Sequence, residues 1–354
     1  MKTFALKVLY VIVLTLILAM TVSIAVSHAG PTFKISNSHY TGWEPWWLAQ
    51  DTGILKKWAD KYGVTIEVSA PMDYIEAINL YTAGAFQGVT ITNMDVLTIP
   101  SSGGIKSEAI IVGDFSNGND GIVSHKAKDV KELLGTEVKL VELTVSHYLL
   151  ARALERNGMS ERNVTLVNTS DSDIASIFAS DKNANVVTWN PPLLVCKSVS
   201  DAKLLFDSSK IPGEIMDLLV VRADTPAEVK KALAGAWYET MALMSAKNQK
   251  GKEAIQFMAK FAGGTEAEFR AQLRTTRMFY SPKEAVQFAS SPEIKKTMEY
   301  VRQFCFTHGL FGASAKTKDY IGIQFPDKSV IGDPKNVKLI FNADYMRMAA
   351  ENKL

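Results

Sequence analysis

The sequence predicts an α/β protein built from two similar halves, each a mostly parallel sheet covered on both faces, followed by a helical tail. Three observations carry this. Short apolar runs rich in Val and Ile alternate with longer stretches of 3.6-residue periodicity, joined by short loops. The same alternation starts afresh after a polar turn at 114–120. Beyond Pro226 the chain reads as almost wholly helical. Two such halves joined by short crossings imply a cleft between lobes.

The elements follow in order. Residues 33–36 read as a strand, and 44–62 as a helix broken at Gly53. A strand at 64–68 precedes a helix at 72–83, with Ile75, Ile78, Leu80 and Tyr81 apolar. A strand at 88–92 and a short helix ending at Pro100 complete the first unit. Short strands at 109–113 and 121–124 flank the polar turn. Strands at 138–141, 164–167 and 186–189 then alternate with helices at 145–157 and 174–179. A strand at 218–222 leads into helices at 226–247, 253–261, 266–274, 282–289 and 292–309. The Gly, Pro and Asp spacing of 321–338 reads as loop, and a short helix sits near 344–351. The domain reading is a leader at 1–29, a first lobe of 30–115 plus about 216–354, and a second lobe of 116–215.

Composition narrows the class. The 354 residues are 47% hydrophobic and 21% charged, which excludes a disordered chain, a fibre and a small disulfide scaffold. The formal charge of +2 is spread without a basic block, so nucleic acid is not an expected partner. Lys2 and Lys7 precede an apolar run over 8–26 that ends in Ser27, His28 and Ala29. Small residues at 27 and 29 predict cleavage after Ala29, export and a periplasmic location. The alternative is a retained anchor, since the run approaches the length of a membrane span. Cys196 and Cys305 both lie in the exported part, where a bridge is permitted. Phe304 and Phe306 around Cys305 read instead as a buried face. A bridge and two buried thiols therefore both stay open, and no metal-ligand spacing surrounds either residue.

In open α/β sheets, ligands sit beyond the carboxyl ends of strands. After the first strand come His39, Tyr40, Trp43, Glu44, Trp46 and Trp47. This is either an aromatic box with an acid, suited to a small planar or cationic ligand, or packing at a helix start, where Pro45 fits a first helical position. Asn93 and Asp95 follow the third strand, as helix caps or as ligand contacts. Glu142, Thr144, Ser146 and His147 follow the strand at 138–141. There Glu142 is a solvated acid or a counter-charge, Thr144 and Ser146 are candidate caps, and His147 reads as a surface residue. Trp189 and Asn190 end the strand at 186–189, where Trp189 is placed to close a box from the second lobe. Glu214 lies near the return to the first lobe. These loops hold no Arg, the usual bidentate partner of sulfonate, phosphate or carboxylate. That balance favours a cation or a neutral solute rich in N–H donors. No nucleophile elbow, His-Glu-x-x-His, phosphate loop or dinucleotide fingerprint is present, so neither an enzyme nor a cofactor is expected.

Several segments carry a family resemblance. They are 38–46 (Ser-His-Tyr-Thr-Gly-Trp-Glu-Pro-Trp), 53–58, Thr-Asn-Met-Asp at 92–95, Gly-Asp-Phe-Ser-Asn-Gly-Asn-Asp-Gly at 113–121, and 141–154. Trp-Asn-Pro at 189–191, Ile-Pro-Gly-Glu-Ile at 211–215 and 235–244 extend the match. Together they resemble periplasmic solute-binding proteins of the nitrate/sulfonate/taurine type of ABC importer, in the branch associated with urea carboxylase and guanidine. The resemblance implies a type II periplasmic-binding fold with two α/β lobes and a hinge, working as a monomer with an inner-membrane ABC permease. Ligand loops would fall on His39, Tyr40, Trp43, Glu44, Asn93, Asp95, Glu142, Ser146, Trp189 and Asn190, with Trp237 and Glu239 approaching from the helix after the return. The expected solute is guanidinium-like or urea-like. A sulfonate, nitrate or pyrimidine-like solute on the same fold is the alternative, and an enzyme of the pyrimidine-precursor synthase type stands further off.

Overall fold

The computed structural model describes residues 32–354; the leader expected over 1–29 lies outside them. The chain begins with β1 (Thr32–Ser36), α1 (Pro45–Asp51), α2 (Ile54–Lys61), β2 (Thr65–Val68), α3 (Tyr74–Thr82), β3 (Gly88–Thr92) and β4 (Ser107–Ser116). It crosses into β5 (Asp120–Ser124), β6 (Glu137–Leu140), α4 (Val145–Arg156), β7 (Thr165–Asn168), α5 (Asp171–Ser180), β8 (Asn185–Trp189), α6 (Pro192–Ser198) and β9 (Lys203–Asp207). The return strand is β10 (Met216–Arg222). There follow α7 (Ala227–Ser245), α8 (Gln249–Phe261), α9 (Glu266–Leu273), β11 (Thr276–Met278), α10 (Pro282–Ala289), α11 (Pro292–Thr307), β12 (Gly322–Gln324), β13 (Val330–Ile331), β14 (Val337–Phe341) and α12 (Asp344–Ala350).

Two sheets result, one in each α/β lobe. The first runs β13-β12-β14-β4-β10-β3-β1-β2, with β11 paired to the end of β4, and the second runs β7-β6-β8-β5-β9. The expectation of mostly parallel sheets needs correction. β10 lies antiparallel between β3 and β4, and β5 lies antiparallel between β8 and β9. The reason is connectivity: β4 continues directly into β5, and β9 returns into β10, so each crossing strand enters its new sheet against the local direction. The two crossings are pinned together. Ser116 Oγ and Ser208 Oγ lie 2.6 Å apart, and the Gly118 N–H donates to Ser208 Oγ at 2.7 Å. Gly118 holds φ +106°, a left-handed conformation that glycine adopts without strain.

Local chemistry explains the element boundaries. Gly53, at φ +75°, separates α1 from α2, as the broken helical pattern implies. Asp73 caps α3 by accepting from the Ile75 N–H at 3.0 Å. Three readings are corrected. The strand read at 109–113 extends through Ser116, so Asp114 belongs to a strand and not to a turn. The loop read at 321–338 contains β12, β13 and the start of β14; these are two to five residues long and gain their identity only by pairing outward from β4. α6 and β9 have no counterpart in the sequence pattern, because 192–207 shows neither clear period. Cys196 and Cys305 are buried free thiols, which settles the open alternative against a bridge.

Helix α7 carries Gly235 against α2. A Cβ there would lie 2.3 Å from the Trp58 ring. We expect Gly235→Ala to cost about 1–3 kcal/mol through overpacking, seen as a lower Tm in thermal unfolding with solute affinity retained.

Candidate functional site

A pocket opens where the two lobes meet, beyond the strand carboxyl ends. Tyr40 and Trp43 come from the loop between β1 and α1. Tyr74 opens α3, Thr92 ends β3, Val145 opens α4, and Trp189 ends β8. Asp120, Ile215 and Asp217 come from the crossings. The atom-free space, including its open mouth, is about 270 Å³. Its aromatic wall is continuous. Tyr40 and Trp43 lie 4.9 Å apart between centroids, Trp43 and Tyr74 5.5 Å, and Tyr74 and Trp189 5.8 Å in an edge-on arrangement. No Lys or Arg is among the lining residues.

Four aspartates cluster in and around this wall, all buried. Asp95 accepts from the Tyr74 hydroxyl at 2.7 Å and from Thr92 Oγ1 at 2.9 Å. Its carboxylate also faces the Val145 N–H at the start of α4, while Oδ1 keeps no partner. Asp114 accepts from the Tyr40 hydroxyl at 3.0 Å. Asp217 sits directly between Thr92 and Asp114 in the strand register. Like charges opposite one another in a sheet are destabilising. Burial pushes Asp95, Asp114 and Asp120 up to about 7. Burial and the charges of Asp114 and Asp120 raise Asp217 well above the carboxylate range. Asp114 Oδ2 and Asp217 Oδ2 have no hydrogen-bond partner. Desolvated acceptors without donors are costly, and Asp217, which lines the pocket, suits a solute that brings a donor with it.

The residues singled out from the sequence divide into two groups. Tyr40, Trp43 and Trp189 line the pocket, and Asp95 stands behind Tyr74. Ser146 is buried beside Val145 with its hydroxyl unpartnered. The others have different engagements. Asn93 spends both ends of its amide on the return segment: Nδ2 donates to the Glu214 carbonyl at 3.1 Å, and Oδ1 accepts from the Met216 N–H at 2.9 Å. Asn190 hydrogen-bonds Asn119, which ties β8 to the crossing. Glu44 is buried, but its Oε1 meets His39 Nδ1 at 2.7 Å; burial raises its carboxyl while the His39 hydrogen bond opposes that. Glu214 is held by the Tyr148 hydroxyl at 2.5 Å and by Arg152 Nε at 2.9 Å. Glu142 is half-buried on its loop, with its backbone N–H on Asn168. Trp237 packs on Trp46 at 5.0 Å, and Trp47 turns its Nε1–H to the Ser69 carbonyl. Glu239 is paired with Lys57 at 2.7 Å.

Sequence reasoning does not select Tyr74, Asp114, Asp120 or Asp217. For Asp217 a signal exists: it is a lone acid at the head of the apolar run Met216-Asp217-Leu218-Leu219-Val220-Val221. For Asp114 and Asp120 the signal is masked by a polar turn that accounts for them by itself.

No family model matches the chain, and no curated protein matches it. Solved structures do. The alkanesulfonate-binding protein SsuA from Xanthomonas axonopodis pv. citri, bound to MOPS, superposes with TM-score 0.65 at 14% identity, covering 80% of this chain and 95% of that one. The periplasmic aliphatic sulphonate binding protein SsuA from Escherichia coli gives 0.65 at 14%, covering 79% and 94%. A putative periplasmic sulfonate-binding SsuA from Methylobacillus flagellatus KT gives 0.62 at 12%, covering 92% and 95%. With its two α/β lobes, its pair of crossing strands and these neighbours, the chain has the type II periplasmic-binding fold.

Proposed function

We propose that this protein is the solute-binding component of an ABC importer and captures a small, planar, N–H-rich cation of the guanidinium type. The lobes are taken to divide near 116 and 216, and the protein works as a periplasmic monomer that presents its closed form to a permease. One observation carries the choice of solute: two buried aspartates, Asp120 and Asp217, line an aromatic pocket with no lining Lys or Arg, and two more, Asp95 and Asp114, stand behind its Tyr74 and Tyr40. A guanidinium ion stacks on indole faces and offers N–H donors around its rim. A desolvated cation–aromatic contact is worth about 2 kcal/mol, and each charge-assisted hydrogen bond about 1.5–3 kcal/mol. Two or three such contacts, less ordering costs, reach micromolar binding, about −8 kcal/mol.

The solved neighbours include sulfonate binders, and a free Ser146 hydroxyl at the head of α4 is compatible with an anion. The chain's own Asp95 carboxylate already faces that helix terminus. A sulfonate there would meet a like charge, which favours the cation. Calorimetric titration with guanidinium, urea, taurine and nitrate decides between them. Saturable guanidinium binding is expected; tight taurine binding without a guanidinium response overturns the proposal. Trp43→Ala and Trp189→Ala should each weaken guanidinium binding about 30-fold, the equivalent of one lost cation–aromatic contact.

A further inference from the structure

A second cluster lies away from the pocket. His147, Glu161 and His308 bring one ligand atom each to within 4.8 Å of one another. His147 is the third residue of α4, and Glu161 opens the short turn Glu161–Asn163; both belong to the lobe of the second sheet. His308 caps the end of α11, which packs with α10 and the turn at Leu97–Ser101 in the other lobe. Glu161 lies 14 residues after His147, but His308 lies 147 residues further on, and the three have no motif spacing. Only the fold assembles them, across the junction of the lobes.

The details match a ligand set. Glu161 places Oε2 at 2.6 Å from His308 Nε2, and its Oε1 meets His147 Nε2. Both carboxylate oxygens are thus turned to an imidazole nitrogen, one from each side of the junction. His308 Nδ1 lies 2.8 Å from the Phe304 carbonyl oxygen, a contact only an N–H satisfies. In the metal-free protein Nε2 also carries a proton toward Glu161; an ion would displace that proton and take Nε2, while Nδ1–H stays on the Phe304 carbonyl, as in ligating histidines generally. His147 Nδ1 accepts a long hydrogen bond from the Leu143 N–H at 3.2 Å; ligation through Nε2 gives this contact up. His147 is buried, whereas Glu161 and His308 are half-exposed beside a groove lined also by Tyr148, Arg152 and Glu155, so an ion has an entry path.

We propose that His147 Nε2, the Glu161 carboxylate and His308 Nε2 form a site for a divalent transition metal of the zinc class, which clamps the two lobes together. Two imidazoles and one carboxylate are a borderline-soft set that suits zinc and leaves a fourth position open, whereas magnesium and calcium prefer oxygen-only shells. Because its ligands come from both lobes, the ion favours the closed form. Metal and solute should therefore reinforce each other's binding, by the same factor in each direction.

The test uses the untagged mature chain stripped with a chelator and titrated with zinc. One ion per chain and a higher Tm are expected, with no response to magnesium. His308→Gln and His147→Gln should each weaken zinc on the order of 100-fold, the upper end of what even an outer-shell loss costs. Asp217→Asn, which alters only the solute pocket, should leave zinc affinity unchanged; this separates failure of the present proposal from failure of the solute reading. Cobalt substitution in the unmodified chain supplies a readout independent of variant folding, and visible bands of a four- or five-coordinate nitrogen–oxygen site are expected. Absence of saturable zinc binding, an octahedral cobalt spectrum, or unchanged affinity in both histidine variants overturns the proposal.

Discussion

Asp217→Asn should weaken guanidinium binding about 100-fold, the loss of roughly one strong charge-assisted hydrogen bond to a desolvated partner, and should at the same time raise the Tm of the ligand-free protein near pH 8. The two effects share one cause. Asp217 stands opposite Asp114 in the register of β10 and β4, and no Lys or Arg lines the pocket that Asp217 enters. In the ligand-free protein this pair is a cost, relieved only by holding a proton. An Asn amide removes the repulsion and donates to Asp114. With the solute bound, the same carboxylate is the counter-charge, and its removal is felt fully. Stability gained and affinity lost together is the usual signature of a strained binding site. Calorimetry and thermal melts measure both quantities. A variant that loses stability while keeping its affinity would place Asp217 outside the site.

Guanidinium affinity should rise with pH through about 7, while the stability of the ligand-free protein falls over the same span. Asp95, Asp114 and Asp120 are raised by burial to about 7, against about 3.9 in an unfolded chain. Between these values the folded state binds more protons than the unfolded state, so the slope of unfolding free energy with pH is negative. Stability contributed by these groups is fully present below about 4 and is lost as pH rises through about 7. A cation favours the ionised carboxylates and displaces their protons. Below 7 each proton displaced makes binding about tenfold weaker per pH unit lost. Titrations in buffers of different ionisation enthalpy should register proton release at pH 6.5 and little at pH 8.5. A flat affinity between pH 5.5 and 8.5 would rule out the aspartate cluster as the counter-charge.

Part of this site is legible in the amino-acid sequence alone. The aromatic positions Tyr40, Trp43 and Trp189 sit at strand ends, where an α/β chain presents loops to a cleft, and the pocket does include them. The acids Glu44 and Glu214 satisfy the same rule and are engaged elsewhere, by His39 and by Arg152. A carboxylate in a loop does not announce which neighbour it will meet. Asp114 and Asp217 each look unremarkable in their own segments. Their meaning arises from a register that sets them opposite each other, between strands about a hundred residues apart.

The alternation of periods, the glycine break at 53 and the export-like leader belong to the chain itself, since they depend on local sterics and on which face of each segment is apolar. So does the absence of Arg from the ligand loops. The antiparallel sense of β5 and β10, the pairing of Asp114 with Asp217 and the meeting of His147, Glu161 and His308 belong to the tertiary structure alone. These are long-range contacts, and their partners are specified by how the two crossings thread the sheets rather than by any pattern within a segment.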